Sequence, residues 1–537
     1  MSIFYDTMLA AHCLGEERGL SLLNQASTEL GVDDWGKGTH SFGDAKTPPD
    51  PLWGPDGLAY YNARDAGYTH LLYEAQRDQL VAHQDQARLM KLLAFPGMNA
   101  VCQMELNGIW VDLDRLEKRR EELLARREAA RIEMLQYVSD DFRESADFAN
   151  EHFLRRWIFG QLPDGLGLEP VSFTEKTQKP QVDEAALTAL SAKHPAMEVL
   201  MRFRRATKHV QFLDGWKTFM DRGHRLHPRF NMTGTVTGRR SCSDPNLQQV
   251  PRDKYIRSII GAPPGWRLLE IDYSQIEVRL SAWFAEEDTM LALYADDKDV
   301  YIHIASLIYE KPESEVTRSE RQGAKAVVLG FLYGMGPRSF VIYAKETFDV
   351  DFTLDQGRAF RETFFSAYPR LLPWHDRQRK LVRQHLQVSS PIGRVRHLKR
   401  VLSLDEFTRA KAERQAINSP VQGFGGDLTL ATNLSLMPEL DPEECLVVGD
   451  IHDALLFQVR DDVWEKWAHR ILTVMQDPPA LSPFNANAPV RFLAEGKIGQ
   501  HWGQGLEFLL KDFGPDGTLP VQWHEEWEKL LAGYAVA

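Results

Sequence analysis

Two apolar runs constrain this chain more than any other feature. WRLLEIDYS (266 to 274) and ECLVVGDIHDALLFQV (444 to 459) are rich in β-branched and large aliphatic residues and read as sheet strands with acidic residues at their ends. In the second run, His452 and Asp453 stand between two apolar stretches, as in a β-hairpin with its turn near the acid. In the first, a buried strand from Leu268 to Ile271 ends in Asp272, and Glu277 and Arg279 follow at what reads as the start of a helix. Carboxylates at the ends of adjacent strands bring oxygen donors together without a dedicated cage. Mg²⁺ is commonly held in this way, by one or two carboxylates completed by substrate phosphates. Either carboxylate alone would more often be a cap or a surface charge.

What lies between the runs gives the pair its meaning. Arg321, Lys325, Leu329 and Tyr333 are spaced by four within ERQGAKAVVLGFLYGMG. On a helix each such step drifts about 40° and climbs about 6 Å, so the four side chains line one slowly winding face. Two cations about 6 Å apart match the span of a triphosphate, and a tyrosine two turns on can stack against a base. Gly323, Gly330 and Gly334 each cost about 1 kcal/mol in a helix interior, which reads as room for a planar ligand or a backbone. An amphipathic core helix with a basic end explains this segment equally well on its own. Added to the two aspartates, the cationic face completes a two-metal phosphoryl-transfer site, with metals about 3.5 to 4 Å apart.

These three segments resemble motifs A, B and C of the family A DNA polymerases. TVTGRRSCSDPNLQQVPR (235 to 252) and AERQAINSPVQGFGGDL (412 to 428) resemble two further segments of that family, in the same order. The resemblance runs over about 85 to 505 and implies a right-hand polymerase of mixed α/β (α+β) build, with an antiparallel palm sheet and helical fingers and thumb. It places a thumb at 81–225, a palm at 226–312 and 436–505, and fingers at 313–435. It further implies that Asp272 and Asp453 ligate two Mg²⁺ ions, Mn²⁺ being a substitute, with the Tyr273 carbonyl helping. Arg321 and Lys325 would hold the incoming dNTP phosphates, Tyr333 would lie beside the templating base, and Gln275, Leu329 and Tyr301 would complete the nucleotide site. Glu277 would be the steric gate against a ribose 2′-OH. Arg239, Arg414, Asn418, Gln422 and His452 would touch the primer terminus and the minor groove, where acceptors are nearly the same for every correct pair.

The chain departs from the family pattern in several places. Leu329 stands where relatives carry Phe or Tyr, and without a tyrosine hydroxyl dideoxynucleotides are expected to remain poor substrates. Ala454 follows His452 and Asp453 where the family has Glu, so metal affinity rests on Asp272 and Asp453; Asp450, three positions away in a strand, faces the other side. In DVYIHIASLIY the register puts Tyr301 where relatives often carry a phosphate-binding His, and turns His303 about 200° away. Phe4 to Gly31 and YNARD (61 to 65) resemble the end of the family's 3′-to-5′ exonuclease. The acidic motifs expected before them are missing, so residues 1–80 read as a remnant or the distal half of a split domain, without proofreading in this chain alone. Residues 506–537, with Trp523, Trp527 and Leu530, read as a C-terminal appendage or as core packing.

Composition sets the remaining bounds. At 537 residues and 43% hydrophobic content the chain can bury large cores and should divide into two to four domains. Its net charge of −13 argues, taken whole, against a polyanionic partner. That charge is segregated, however: residues 201–252 hold 11 Lys and Arg against 3 Asp, and residues 376–414 hold 11 against 4 acids. Such segregation is the footprint of a nucleic-acid groove, here for primer-template DNA, on an otherwise acidic body. The charge-striped helix at 116–135 reads as one member of a solvated antiparallel pair, and 32–58 as a long irregular loop. Cys13, Cys102, Cys242 and Cys445 form no metal or disulfide spacing and read as reduced, mostly buried thiols. No membrane segment or leader is expected, which points to the cytoplasm of a bacterium or a phage-infected host, with phage or prophage replication as the setting. A separate exonuclease or processivity subunit stays open. Glu277 argues against a single-subunit RNA polymerase, and the joint presence of Asp272, Asp453, Arg321 and Lys325 argues against a non-catalytic DNA-binding relative.

Overall fold

The computed structural model describes residues 5–17, 19–35, 58–174, 177–251 and 253–536. Both apolar runs are strands of one sheet. Trp266–Tyr273 (β1), Cys445–Ile451 (β2), Ala454–Arg460 (β3), Ala494–His501 (β4) and Gln504–Leu509 (β5) form five strands in the order β5-β4-β1-β3-β2, every neighbouring pair antiparallel. Strand β3 is buried on both faces, with Leu455, Leu456, Phe457 and Val459 fully enclosed, so its sequence is a continuous apolar run rather than an alternation. Helices Phe95–Asn107 and Trp464–Gln476 pack on the sheet, and the 31-residue helix Glu406–Leu436 links it to the region between the two runs.

The charge-striped segment is helix Leu113–Leu135, and its partner is Ala196–Phe219. Ion pairs Glu117–Lys217, Arg120–Asp214 and Glu133–Arg202 run in opposite chain directions, which fixes the pair as antiparallel. Exposed pairs of this kind stabilise by a fraction of a kcal/mol each. A separate apolar cluster around Phe148, Trp157, Leu187 and Phe203 carries most of the packing at the far end.

Two of the boundaries drawn from the sequence cut through elements. Helix Leu58–Ala82 crosses 80/81, and strand β5 crosses 505/506, so residues 506 to 509 belong to the sheet edge. Beyond that edge, Trp523 and Trp527 stack at 5.7 Å, and both rings reach Trp464 on a sheet-packing helix. Trp527 is thus buried in the main core, and Trp523 and Leu530 pack partly against it. Residues 36–57 of the expected loop, and Phe4, lie outside the described residues. Cys13, Cys242 and Cys445 are buried free thiols and Cys102 is an exposed one, in keeping with mostly buried thiols.

Candidate active site

Strand register brings the two aspartates together. Asp272 sits opposite Ala454, one residue past Asp453, and the Tyr273 amide donates to the Asp453 carbonyl at 3.3 Å. Although Asp272 opens onto a cleft, the walls desolvate its carboxyl and push it up to about 7, with the charges of Asp453, Glu270 and Glu495 adding to the effect. Burial likewise raises Asp453 to about 6, against the pull of Arg239. Sequence reasoning missed Glu495, which lies directly across from Asp272 on β4; its signal was a lone acid in the apolar-flanked segment FLAEGKIG. Among the described residues no group of three or more His, Cys, Asp or Glu side chains is arranged to hold a metal. The donor set is thus two hard carboxylate oxygens with excess negative charge, which suits a Mg²⁺-like cation whose remaining ligands come from phosphates and water.

Asp450 faces the other way. It is buried and pairs with the buried Arg240, whose guanidinium also reaches the Gly426 carbonyl and the Thr429 hydroxyl. His452 forms the hairpin turn with φ +63°, exposed at the mouth of the site.

The cationic face is real. Helix Arg318–Leu332 starts at a capping box formed by Thr317 and Glu320, and Arg321, Lys325, Leu329 and Tyr333 are its partly open positions. Asp299, which caps the helix Val300–Ile308, grips the Arg321 guanidinium at 2.7 and 3.0 Å. Tyr301 is only 4% exposed, and its ring lies 5.3 Å from the Arg321 guanidinium and 5.9 Å from the Lys325 ammonium. It therefore sits behind the two cations as their aromatic support. His303 turns outward to Glu313. The glycines have other reasons than those expected. A Cβ on Gly323 would meet Tyr309 and Phe352, and one on Gly330 would meet Phe340 at 3.0 Å, so both admit neighbouring side chains of the fold. Gly334, with φ +71°, lies past the helix end and terminates it.

A polar chain joins the two halves of the site. The Tyr333 hydroxyl donates to Glu277, and Arg239 Nη2 donates to Glu277 at 2.6 Å and to Asp453 at 3.3 Å. Gln275 occupies the left-handed turn between β1 and the helix Ile276–Ala285, with φ +53°, and accepts from the Tyr294 hydroxyl. Arg414, Asn418 and Gln422 follow at intervals of four along Glu406–Leu436. The Asn418 Oδ1 and Arg239 Nε are buried with no hydrogen-bond partner, as expected of groups that meet a polar ligand.

A sheet bearing two carboxylates is thus joined, through Glu277 and Tyr333, to a helix bearing two cations. The chain matches DNA polymerase family A over residues 114–504. It is 32% identical over 413 residues to the thermostable DNA polymerase I of Thermus filiformis, covering 76% of this chain and 47% of that one. With DNA polymerase I of Aquifex aeolicus it shares 27% identity over 497 residues, 87% of this chain and 78% of the relative. The chain spans about half the length of most of these curated relatives. The POL domain of Pol1 from M. smegmatis, solved with DNA primer-template and dNTP, superposes with a TM-score of 0.78 at 23% identity, covering 93% of this chain and 81% of that one. The protein belongs to the family A DNA polymerases.

Proposed function

We propose that this chain is a template-directed DNA polymerase that extends a primer 3′-OH with dNTPs by two-metal phosphoryl transfer. The observation that carries the reading is the pairing of Asp272 with the Asp453 turn, joined through Arg239, Glu277 and Tyr333 to the helix that bears Arg321 and Lys325. Asp272 and Asp453, with the Tyr273 carbonyl, would hold Mg²⁺, which when bound supplies activation of the primer hydroxyl and charge neutralisation on the leaving pyrophosphate. Arg321, steadied by Asp299, and Lys325 bind and orient the triphosphate in line with the primer. Glu277, held by Tyr333 and Arg239, fills the space a 2′-OH would need. Arg239, Arg414, Asn418, Gln422 and His452 are the proposed DNA contacts. For Arg239 this requires releasing Glu277 or sharing it, since the guanidinium is engaged there.

That this chain alone does not proofread belongs to the same proposal; Asp65 of the YNARD segment accepts from the Trp35 indole at 2.9 Å. A phage or prophage setting, cytoplasmic location and a separate exonuclease or processivity subunit belong to the same reading. No helix among the described residues is long and apolar enough to cross a membrane.

Primer extension tests the reading. Purified protein with Mg²⁺ is expected to extend a labelled primer with dNTPs and not with rNTPs; no extension with dNTPs, or equal use of rNTPs, would sink it. Competition of ddTTP with dTTP in the same assay should show strong preference for dTTP, because Leu329 offers no hydroxyl.

A further inference from the structure

The segment ahead of the polymerase motifs is built into the active-site scaffold. Helix Thr7–Leu14 buries His12, only 4% exposed, against the turn 235–239, and its Nε2 lies 2.9 Å from the Thr235 carbonyl. That carbonyl also accepts from the Gly238 amide at 3.3 Å, and the Thr235 hydroxyl donates to the Arg239 carbonyl at 2.6 Å. Gly238, at φ +84°, lets the turn close over Arg394, where a Cβ would come within 2.5 Å of the guanidinium carbon. Arg394 is itself fixed by Asp427 at 2.6 and 2.7 Å. The residue leaving this turn is Arg239, which reaches Glu277 and Asp453.

The helix is itself firmly anchored. Just past its end, the buried Glu16 accepts from Arg396 and from the amide and ring of His397, and Gln86 donates to the Cys13 carbonyl at 2.8 Å. Burying a histidine and a glutamate from one short segment is costly unless their hydrogen bonds are made. Here they are made to Thr235, Arg396 and His397 of the polymerase body.

We infer that His12 is a positioning residue for the polymerase site, pinning the 235–239 turn so that Arg239 is aimed at Glu277 and Asp453. With Nε2 carrying the proton, the imidazole donates to Thr235 and fixes the start of the turn, while the Thr235 hydroxyl fixes its end. The kinetic part of this inference rests on the polymerase reading; the structural part does not.

The test uses the full chain as His12→Ala and His12→Gln, with Arg239→Ala and the double variant His12→Ala/Arg239→Ala. Hydrogen–deuterium exchange without substrate is expected to quicken at residues 233–241 in His12→Ala, and to return towards the parent rate in His12→Gln, whose amide can donate in place of Nε2. Single-turnover extension should slow by about tenfold in His12→Ala with dNTP affinity little changed, since misplacement of a positioning group acts on the chemical step. The same change should cost nothing further in the Arg239→Ala background. Unchanged exchange at 233–241, or a kinetic loss that persists in full without Arg239, would overturn the inference. If the parent chain extends no primer the polymerase reading falls, and the exchange measurement still decides whether His12 braces the turn.

Discussion

Asp450 and Asp453 stand three residues apart on one hairpin and live in opposite circumstances. Asp450 is sealed in with Arg240, so its charge is matched inside the fold. Asp453 sits at the turn with Asp272 beside it, and burial holds both carboxyls above their ordinary range. The first charge is answered by the protein itself. The second is met within the fold only by a partial contact with Arg239, and in the proposed function a cation would answer it. One face of the strand pair thus matches its charge inside the fold, and the other stores electrostatic cost that the proposed metal binding would relieve.

The contrast can be broken by exchanging the two roles. Asp453→Ala should reduce single-turnover extension about 1,000-fold, since charge stabilisation at a metal site is worth several kcal/mol, while the urea midpoint stays at or above that of the parent chain. Asp450→Asn should do the reverse: it leaves Arg240 buried without its partner and is expected to cost about 3 to 5 kcal/mol of stability, seen as a lower urea midpoint. A stable Asp450→Asn protein that has lost extension would contradict the assignment of the two faces.

Two smaller effects sharpen it. Asp272 has a native pKa raised to about 7, so its folded state favours the protonated form and pays for ionisation as pH rises above the ordinary carboxylate range. Asp272→Asn should therefore raise the thermal midpoint of the metal-free protein by a few degrees at pH 8, and this gain should shrink to a small remainder near pH 4, where the native carboxyl is protonated and the unfolded one about half so. A gain that is independent of pH would refute the cause given. The smallest effect is that of Glu495→Gln. Removing the negative charge opposite Asp272 should move the acidic limb of the pH–rate profile down by roughly half a unit; an upward move would show that Glu495 acts otherwise.

Much of this was legible in the sequence because it depends on local periodicity. The spacing of Arg321, Lys325, Leu329 and Tyr333 gave the open face of a helix, and the apolar runs around Asp272 and Asp453 gave two strands. The opposite facing of Asp450 followed from the two-residue period of a strand, and that of His303 from helical geometry. Partners distant in sequence were not legible. Asp299 under Arg321, Glu495 opposite Asp272 and His12 against Thr235 are contacts across tens to hundreds of residues, and no local pattern announces them. The glycines misled for the same reason, since the rings of Phe340, Tyr309 and Phe352 come from other elements.

The register of β1 has a consequence for how the chain is made. Asp272 pairs with Ala454 about 180 residues later, and β4 closes on the other side of β1 later still. During synthesis β1 leaves the ribosome long before either neighbour exists, so the nascent chain must shelter an apolar strand while the intervening helices emerge. Such non-local pairing is slow and exposed to aggregation. The two aspartates first meet when β3 docks, and until then the proposed site does not exist in the growing polypeptide.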